Sequence, residues 1–150
     1  MSPIKDVENE IVEEFSFFPD WMDKYQNIIE MGNMLKDFPK DKMTDEYKIK
    51  GCQSSVWLTA EMDDGKIYFN SDSDSSIVKG LAALMIRVFS GRTPDEIINS
   101  KLDFLEKIGL KQHLAPTRSN GLAAMIKQMK MYALAYKMKL EGKSSNVNIK

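Results

Sequence analysis

The sequence has little chemistry of the kinds that mark metal, membrane or nucleic-acid proteins. It holds one cysteine, Cys52, and one histidine, His113, among 150 residues. A single cysteine excludes internal disulfides and every metal site built from several thiolates. The formal net charge of −1 lacks the positive excess typical of nucleic-acid binding. No apolar run reaches the roughly 18 residues of a membrane span, and residues 1–14 do not resemble a signal peptide. These absences predict a cytoplasmic protein without a metal, a membrane or a nucleic-acid partner.

The length and composition predict one domain with an ordinary hydrophobic core. The chain is 43% hydrophobic and 29% charged, which is typical of a globular protein. A chain of this size can bury enough surface to fold without cross-links. Residues 141–150 lack an apolar pattern. We therefore predict a single domain over residues 1–140 and a flexible C-terminal tail over residues 141–150.

The apolar pattern changes its period twice along the chain. Helical spacing occurs near both ends, and an alternating pattern rich in β-branched and aromatic residues occurs between them. Helices are predicted over residues 4–15, 21–35, 77–89 and 103–108, and from Ser119 or Asn120 onward. A further short helix is predicted to begin at Pro94, with Thr93 as its cap and Glu96 placed to close a capping box. Strands are predicted at residues 47–49, 56–62 and 67–70, the last two joined by a turn at Asp63-Asp64-Gly65. This order predicts an α+β fold, with a small three-stranded antiparallel sheet flanked by N-terminal and C-terminal helices.

Cys52 is the first candidate for chemistry. It lies between Gly51 and Gln53 in a polar stretch that is typical of a loop and not of a core. The thiolate is the reactive form of cysteine, and Lys48 and Lys50 would favour it. A catalytic pair of Cys52 with His113 is one alternative. A buried, unreactive cysteine is the other, because most free cysteines are buried as small apolar groups.

Two further segments carry polar side chains that could bind a metal ion, an anion or a partner. Asp72, Ser73 and Asp74 resemble the start of a calcium loop, but Ile77 stands where that loop requires glycine, so a calcium site is excluded. Arg118 precedes the last predicted helix, where a cation suits an anion or a protein partner.

Four stretches, at matching order and distance, resemble the SufE family of sulfur-acceptor proteins over about residues 7–138. Ser55 and Ser71 depart from the residues common in that family at their positions. The stretches are Trp21-x-x-Lys24-Tyr25-x-x-Ile28-Ile29-Glu30-x-Gly32, Ile49-Lys50-Gly51-Cys52-Gln53-Ser54-Ser55-Val56-Trp57-Leu58, Asp72-Ser73-Asp74-x-x-Ile77-Val78-Lys79-Gly80-Leu81 and Gln112-His113-Leu114-x-Pro116-x-Arg118-Ser119-x-Gly121-Leu122-x-Ala124-Met125-Ile126.

The resemblance implies a function in iron–sulfur cluster assembly. Proteins of this family take persulfide sulfur from a SufS-type cysteine desulfurase, stimulate that enzyme, and deliver sulfur to the SufBCD scaffold complex. The resemblance places the persulfide on Cys52 and implies a fold similar to the IscU scaffold. It implies no cofactor of the protein's own, since the pyridoxal phosphate belongs to the desulfurase. A CsdA-type desulfurase is the alternative donor.

The surroundings of Cys52 lead to a hypothesis about its protection. We expect the resting thiol to lie near Trp57 and Leu81, and to become exposed by movement about Gly51 when the desulfurase docks. Docking or support of the loops is assigned to the other candidate residues: Gly51, Gln53, Asp72, Asp74, His113 and Arg118. The alternatives from other classes are a Cys–His hydrolase and a non-catalytic interaction domain.

Overall fold

The helices and strands follow the predicted order, helices first, then a hairpin, then helices. The computed structural model describes the backbone of residues 3–149 and the side chains of residues 3–142. Its elements are α1 (Ile4–Ser16), α2 (Trp21–Asn33), a 3-10 turn (Lys40–Lys42), β1 (Val56–Asp63), β2 (Lys66–Ser73), α3 (Ser76–Phe89), α4 (Pro94–Asn99), α5 (Phe104–Lys107), α6 (Leu110–His113) and α7 (Pro116–Ile149).

The hairpin forms where the sequence predicts it. β1 and β2 pair antiparallel, from Val56 opposite Ser73 to Asp63 opposite Lys66. Between them, Asp64 and Gly65 have φ values of 51° and 77°, the left-handed backbone that a two-residue turn of this hand requires. The α+β class is thereby confirmed.

The prediction of a third strand is wrong, because within the described residues the sheet has two strands. The segment around Lys48 forms an isolated bridge to Trp57, with Ile49 N donating to Val56 O at 2.8 Å. It ends there because Gly51 has a φ of 90°, which turns the chain away from the extended conformation. Tyr47 and Ile49 thus pair with β1 without forming a ladder.

The core lies between the hairpin and the helices. Helix α3 is buried on most of its surface, as its nearly continuous apolar sequence predicts. It packs against α2, β2 and α7. Where α2 and α3 cross, Gly32 and Gly80 bring the two backbones into direct contact. Fully buried side chains from five elements meet in this core: Ile28, Leu58, Ile67, Leu84 and Met129.

Several helix starts follow from the sequence. Asp20 accepts from Asp23 N at the start of α2, and Thr93 and Glu96 form a complete capping box at α4. The predicted start of the last helix at Ser119 or Asn120 is wrong, because α7 begins at Pro116, whose fixed φ suits a first helical turn.

The C-terminal residues, where a flexible tail is predicted, continue the backbone of α7. The backbone of α7 runs to Ile149, whereas the side chains of residues 143–150 lie outside the described residues. The division into a domain over residues 1–140 and a flexible tail over residues 141–150 stays a prediction. Within the described chain, none of the helices combines the length and apolar character needed to cross a membrane.

Candidate functional site

Cys52 lies on the loop that leads into β1, and its side chain is half-buried. The Sγ donates a long hydrogen bond of 3.7 Å to the carbonyl oxygen of Gly121 in the second turn of α7. Beside it is a cavity of about 120 Å³. The residues that line this cavity come from the loop, α3 and α7: Cys52, Gln53, Ser54, Val78, Leu81, Thr117, Arg118, Gly121 and Leu122.

Two glycines fix how close the thiol comes to α7. Gly51 holds a left-handed backbone that residues with a side chain rarely adopt. A Cβ at Gly121 would lie 3.8 Å from Cys52 Sγ, so an alanine there would touch the thiol. Leu81, one of the two residues expected near the thiol, lines the same cavity as Cys52, whereas the other, Trp57, does not.

Burial raises the pKa of the Cys52 thiol above its ordinary value. The hypothesis that Lys48 and Lys50 favour the thiolate receives no support, because both side chains are exposed and burial is the cause of the shift. The neutral thiol therefore prevails at rest, and a neutral thiol reacts slowly with oxidants and electrophiles.

Asp74 anchors the Cys52 loop through hydrogen bonds to Ser55. Its Oδ1 accepts from Ser55 N at 3.1 Å, and its own N–H donates to Ser55 O at 3.2 Å. Ser73 Oγ donates to the same Ser55 carbonyl at 2.8 Å. Asp72 forms an ion pair with Lys79 at 3.5 Å. The two aspartates thus support loops, and neither lines the cavity.

Arg118 lies in the first turn of α7 and lines the cavity of Cys52. Its Nη1 donates to Tyr25 Oη at 3.4 Å, which ties α7 to α2. The site therefore combines one thiol and one guanidinium with walls of mixed polar and apolar side chains.

His113 is placed away from this cavity. Its ring stacks on Trp21, with centroids 4.9 Å apart and planes 19° from parallel, and it does not line the cavity. The Cys–His pair is therefore not formed. Gln53, in contrast, is exposed at the mouth of the cavity.

Three residues with no role predicted from the sequence lie at the site. Tyr25 binds Arg118, Ser55 anchors the loop, and Gly121 accepts from the thiol. Tyr25 and Gly121 both stand in the stretches that carried the family resemblance, which was the available signal. Across the part of the chain that the structure describes, no three His, Cys, Asp or Glu side chains are grouped to hold a metal ion.

The family model and the two relatives described below indicate the same family. The family model described as "SufE: Fe-S metabolism associated domain" matches residues 9–133. A SufE-like protein of Rhizobium meliloti is 39% identical over 130 residues, covering 83% of this chain and 93% of the relative. A SufE-like protein of Synechocystis is 37% identical over 128 residues, covering 85% of this chain and 80% of the relative. The solution structure of a hypothetical protein from Thermus thermophilus has a TM-score of 0.72 at 20% identity, covering 90% of this chain and 97% of that one.

Proposed function

The chain belongs to the SufE family, and we propose on this basis that it accepts sulfur from a cysteine desulfurase as a persulfide on Cys52. The observation that carries the proposal is the placement of the single cysteine. It lies on a glycine-hinged loop at the surface, with its thiol over a small cavity.

The proposed reaction is thiol exchange with a persulfide of the desulfurase. The Cys52 thiolate attacks the outer sulfur of that persulfide, so a new sulfur–sulfur bond forms on Cys52. The sulfur–sulfur bond of the donor breaks, and the desulfurase cysteine leaves as a thiolate. No oxidant is consumed, because the outer sulfur carries its oxidation state with it.

The cavity has room for both the resting thiol and the persulfide that the reaction would form on it. A second sulfur needs about as much room as one water molecule, roughly 30 Å³, and the cavity holds about 120 Å³. The positive charge of Arg118 in the wall favours an anionic sulfur there. Shelter matters because thiolates and persulfides are readily oxidised.

Transfer requires the thiol to leave this shelter. We propose that docking of the desulfurase releases the hydrogen bond from Cys52 to Gly121, and that the loop moves about Gly51. Hydrogen exchange over residues 48–56 is then expected to accelerate when the desulfurase binds. Unchanged exchange in a complex that forms would contradict this movement.

The proposed partners are those that the resemblance to the SufE family implies. A SufS-type desulfurase is the proposed donor, a CsdA-type enzyme is the alternative, and the SufBCD scaffold is the proposed acceptor in a cytoplasmic setting. The protein would need no cofactor of its own, since pyridoxal phosphate serves the desulfurase. Asp72, Asp74, Gln53 and Arg118 would support docking or the loops.

Stimulation of a cognate desulfurase tests the proposal. Alanine production from cysteine is expected to rise with the wild-type protein and not with Cys52→Ser. Because His113 lies outside the cavity, His113→Ala should leave the chemical step in place and alter at most the affinity. If the protein alone hydrolysed esters and lost that activity in His113→Ala, the hydrolase alternative would replace this proposal. Full stimulation by Cys52→Ser would favour a non-catalytic interaction domain.

A further inference from the structure

A second cavity lies far from the chemistry of Cys52. It is an open cavity between the first turns of α1 and the chain that joins α4 to α5, and its volume is about 340 Å³. The two cavities share no lining residue. Its walls include Lys5 and Glu8 on one side, and Ser100, Lys101 and Leu102 on the other.

Glu8 is the unusual residue of this cavity. Its side chain is 6% exposed, and its Oε2 has no hydrogen-bond partner among the described residues. Glutamate is seldom buried to this extent unless it is paired, because a carboxylate loses its hydration when it leaves water. This oxygen has almost no accessible surface, so a donor brought by a bound molecule would reach it after a rotation of the Glu8 side chain toward the cavity.

Ser100 presents a second unsatisfied group. Its Oγ is buried without a partner among the described residues. The position of its backbone is fixed, because Lys130 Nζ donates to the Ser100 carbonyl at 2.6 Å. Leu102, in the same wall, has a φ of 58°, which a leucine rarely adopts.

The other carboxylates of the cavity are already engaged or hydrated. Glu96 Oε1 accepts from both Thr93 N and Thr93 Oγ1 at 3.0 Å. Asp103 is exposed to solvent. Asn99, also in the wall, is exposed to solvent. The buried acceptors left for a ligand are therefore the Glu8 carboxylate and the Ser100 hydroxyl, which come from different elements.

We propose that this cavity binds a small organic molecule through its primary ammonium group, shared between Glu8 and Ser100. An ammonium group supplies a positive charge and three N–H donors, which matches a carboxyl group and a hydroxyl whose residues line the same cavity. A free amine and an amino acid share this chemistry. An amino acid would add a carboxylate, for which Lys5 and Lys101 lie in the same walls. The site is independent of the sulfur transfer proposed for Cys52.

The size of the cavity sets the size of the ligand. Its volume of about 340 Å³ equals that of about eleven water molecules at roughly 30 Å³ each. A molecule of about three to six non-hydrogen atoms fits with room for water. Ligands this small bind weakly, so the expected dissociation constant is in the millimolar range.

Titration of the ¹⁵N-labelled full chain, followed by NMR, tests the site. The ligands are ethylamine, L-alanine, propionate and tetramethylammonium at constant ionic strength. Tetramethylammonium carries the positive charge without any N–H donor. Saturable shifts at Glu8 and Ser100 are expected with ethylamine, with L-alanine or with both, and none with tetramethylammonium.

Two variants test the assignment of the acceptors. Glu8→Gln should weaken ethylamine and L-alanine binding about tenfold or more, since it replaces a charged hydrogen bond. Ser100→Ala should weaken it by a smaller factor. Glu13→Gln is the matched control, because Glu13 is exposed on the same helix and lies outside the cavity; its affinity should equal that of wild type.

The outcomes separate the ligands and can overturn the proposal. Shifts with L-alanine alone would mean that the lysines contribute, and shifts with ethylamine alone that they do not; both support the ammonium site. Shifts with propionate alone, equal shifts with tetramethylammonium, or no shifts at Glu8 with any ligand would overturn it. So would a Glu8→Gln variant that melts several degrees below wild type, because that would show a partner already satisfying the carboxylate.

Discussion

Replacing Gly80 with alanine tests the close crossing of α2 and α3. A Cβ at Gly80 would lie 2.7 Å from the carbonyl carbon of Ile28, and closer still to its oxygen, whereas ordinary contact begins at 3.4 Å. A Cβ at Gly32 would lie 2.7 Å from Gly80 N. Two of the three atoms that oppose a Cβ at Gly80 belong to the α2 backbone, and the third is Cγ2 of Ile28 at 2.7 Å; the backbone atoms cannot move aside as a side chain can. The two helices must therefore move apart by at least 0.7 Å to admit one methyl group.

The expected cost is the balance of two terms. Overpacking a rigid contact costs about 3 kcal/mol, at the upper end of its usual range. Alanine recovers about 1 kcal/mol relative to glycine inside a helix. The free energy of unfolding should fall by about 2 kcal/mol, which lowers the melting temperature by about 4–8 °C in a chain of this size.

Urea and thermal unfolding of Gly80→Ala measure this loss, and Gly142→Ala is the matched control. No atom lies within 4 Å of a Cβ built at Gly142, which is also helical. That control should be neutral or stabilising by up to about 1 kcal/mol. If Gly80→Ala melted within about 1 °C of wild type, the helices would not be as close as the structure places them.

Three further predictions concern the thiol of Cys52, the anchor of its loop and the cap of α4. Because burial raises the pKa of Cys52, its alkylation rate should reach half-maximum at a higher pH in the folded than in the urea-unfolded protein. The folded state should also lose stability relative to Cys52→Ser as the pH rises past about 8.5 toward the folded pKa; parallel pH profiles would refute this. Asp74→Ala removes the acceptor of the Ser55 N–H. It should speed hydrogen exchange at Ser55 and lower the free energy of unfolding by about 1 kcal/mol, whereas unchanged exchange would show that Asp74 does not anchor the loop. Thr93→Ala should cost about 1 kcal/mol through the lost cap. Thr93→Ala keeps the backbone N–H that is the main cause of the lowered pKa of Glu96 and removes only the hydrogen bond from the Thr93 hydroxyl, a smaller cause. The variant should therefore lose slightly less stability than wild type when the pH falls below about 4.3; a larger loss than wild type would contradict the capping account.

The parts of the fold that sequence predicted well are those with local causes. The capping box of Thr93 and Glu96 and the turn at Asp64-Gly65 each depend on residues a few positions apart. The third strand was predicted from the alternation around Tyr47 and Ile49, which is also local. Whether a short segment becomes a strand depends on the length of its pairing with a partner, and here Gly51 turns the chain away after Ile49 has paired.

The same distinction between local and long-range causes applies to the candidate site. Cys52, Gly51 and Arg118 were identified from the sequence, and the structure brings the thiol and the guanidinium to one cavity. The contact of Arg118 with Tyr25 joins positions 93 residues apart, which no spacing rule predicts. The stacking of His113 on Trp21 likewise depends on the packing of α6 against α2, and it removes the histidine from the thiol. The hypothesis that Lys48 and Lys50 favour the thiolate receives no support, because the cause of the raised pKa of Cys52 is burial, which depends on neighbours that the local sequence does not contain.

Intact-protein mass spectrometry measures the central claim most directly. The protein is incubated with a cognate cysteine desulfurase and cysteine in the absence of reductant, with Cys52→Ser as the control. A mass gain of one sulfur, about 32 Da, is predicted for the wild-type chain, together with its loss on adding a thiol reductant. Absence of the gain beside an active desulfurase, or an equal gain in Cys52→Ser, would contradict persulfide transfer to Cys52.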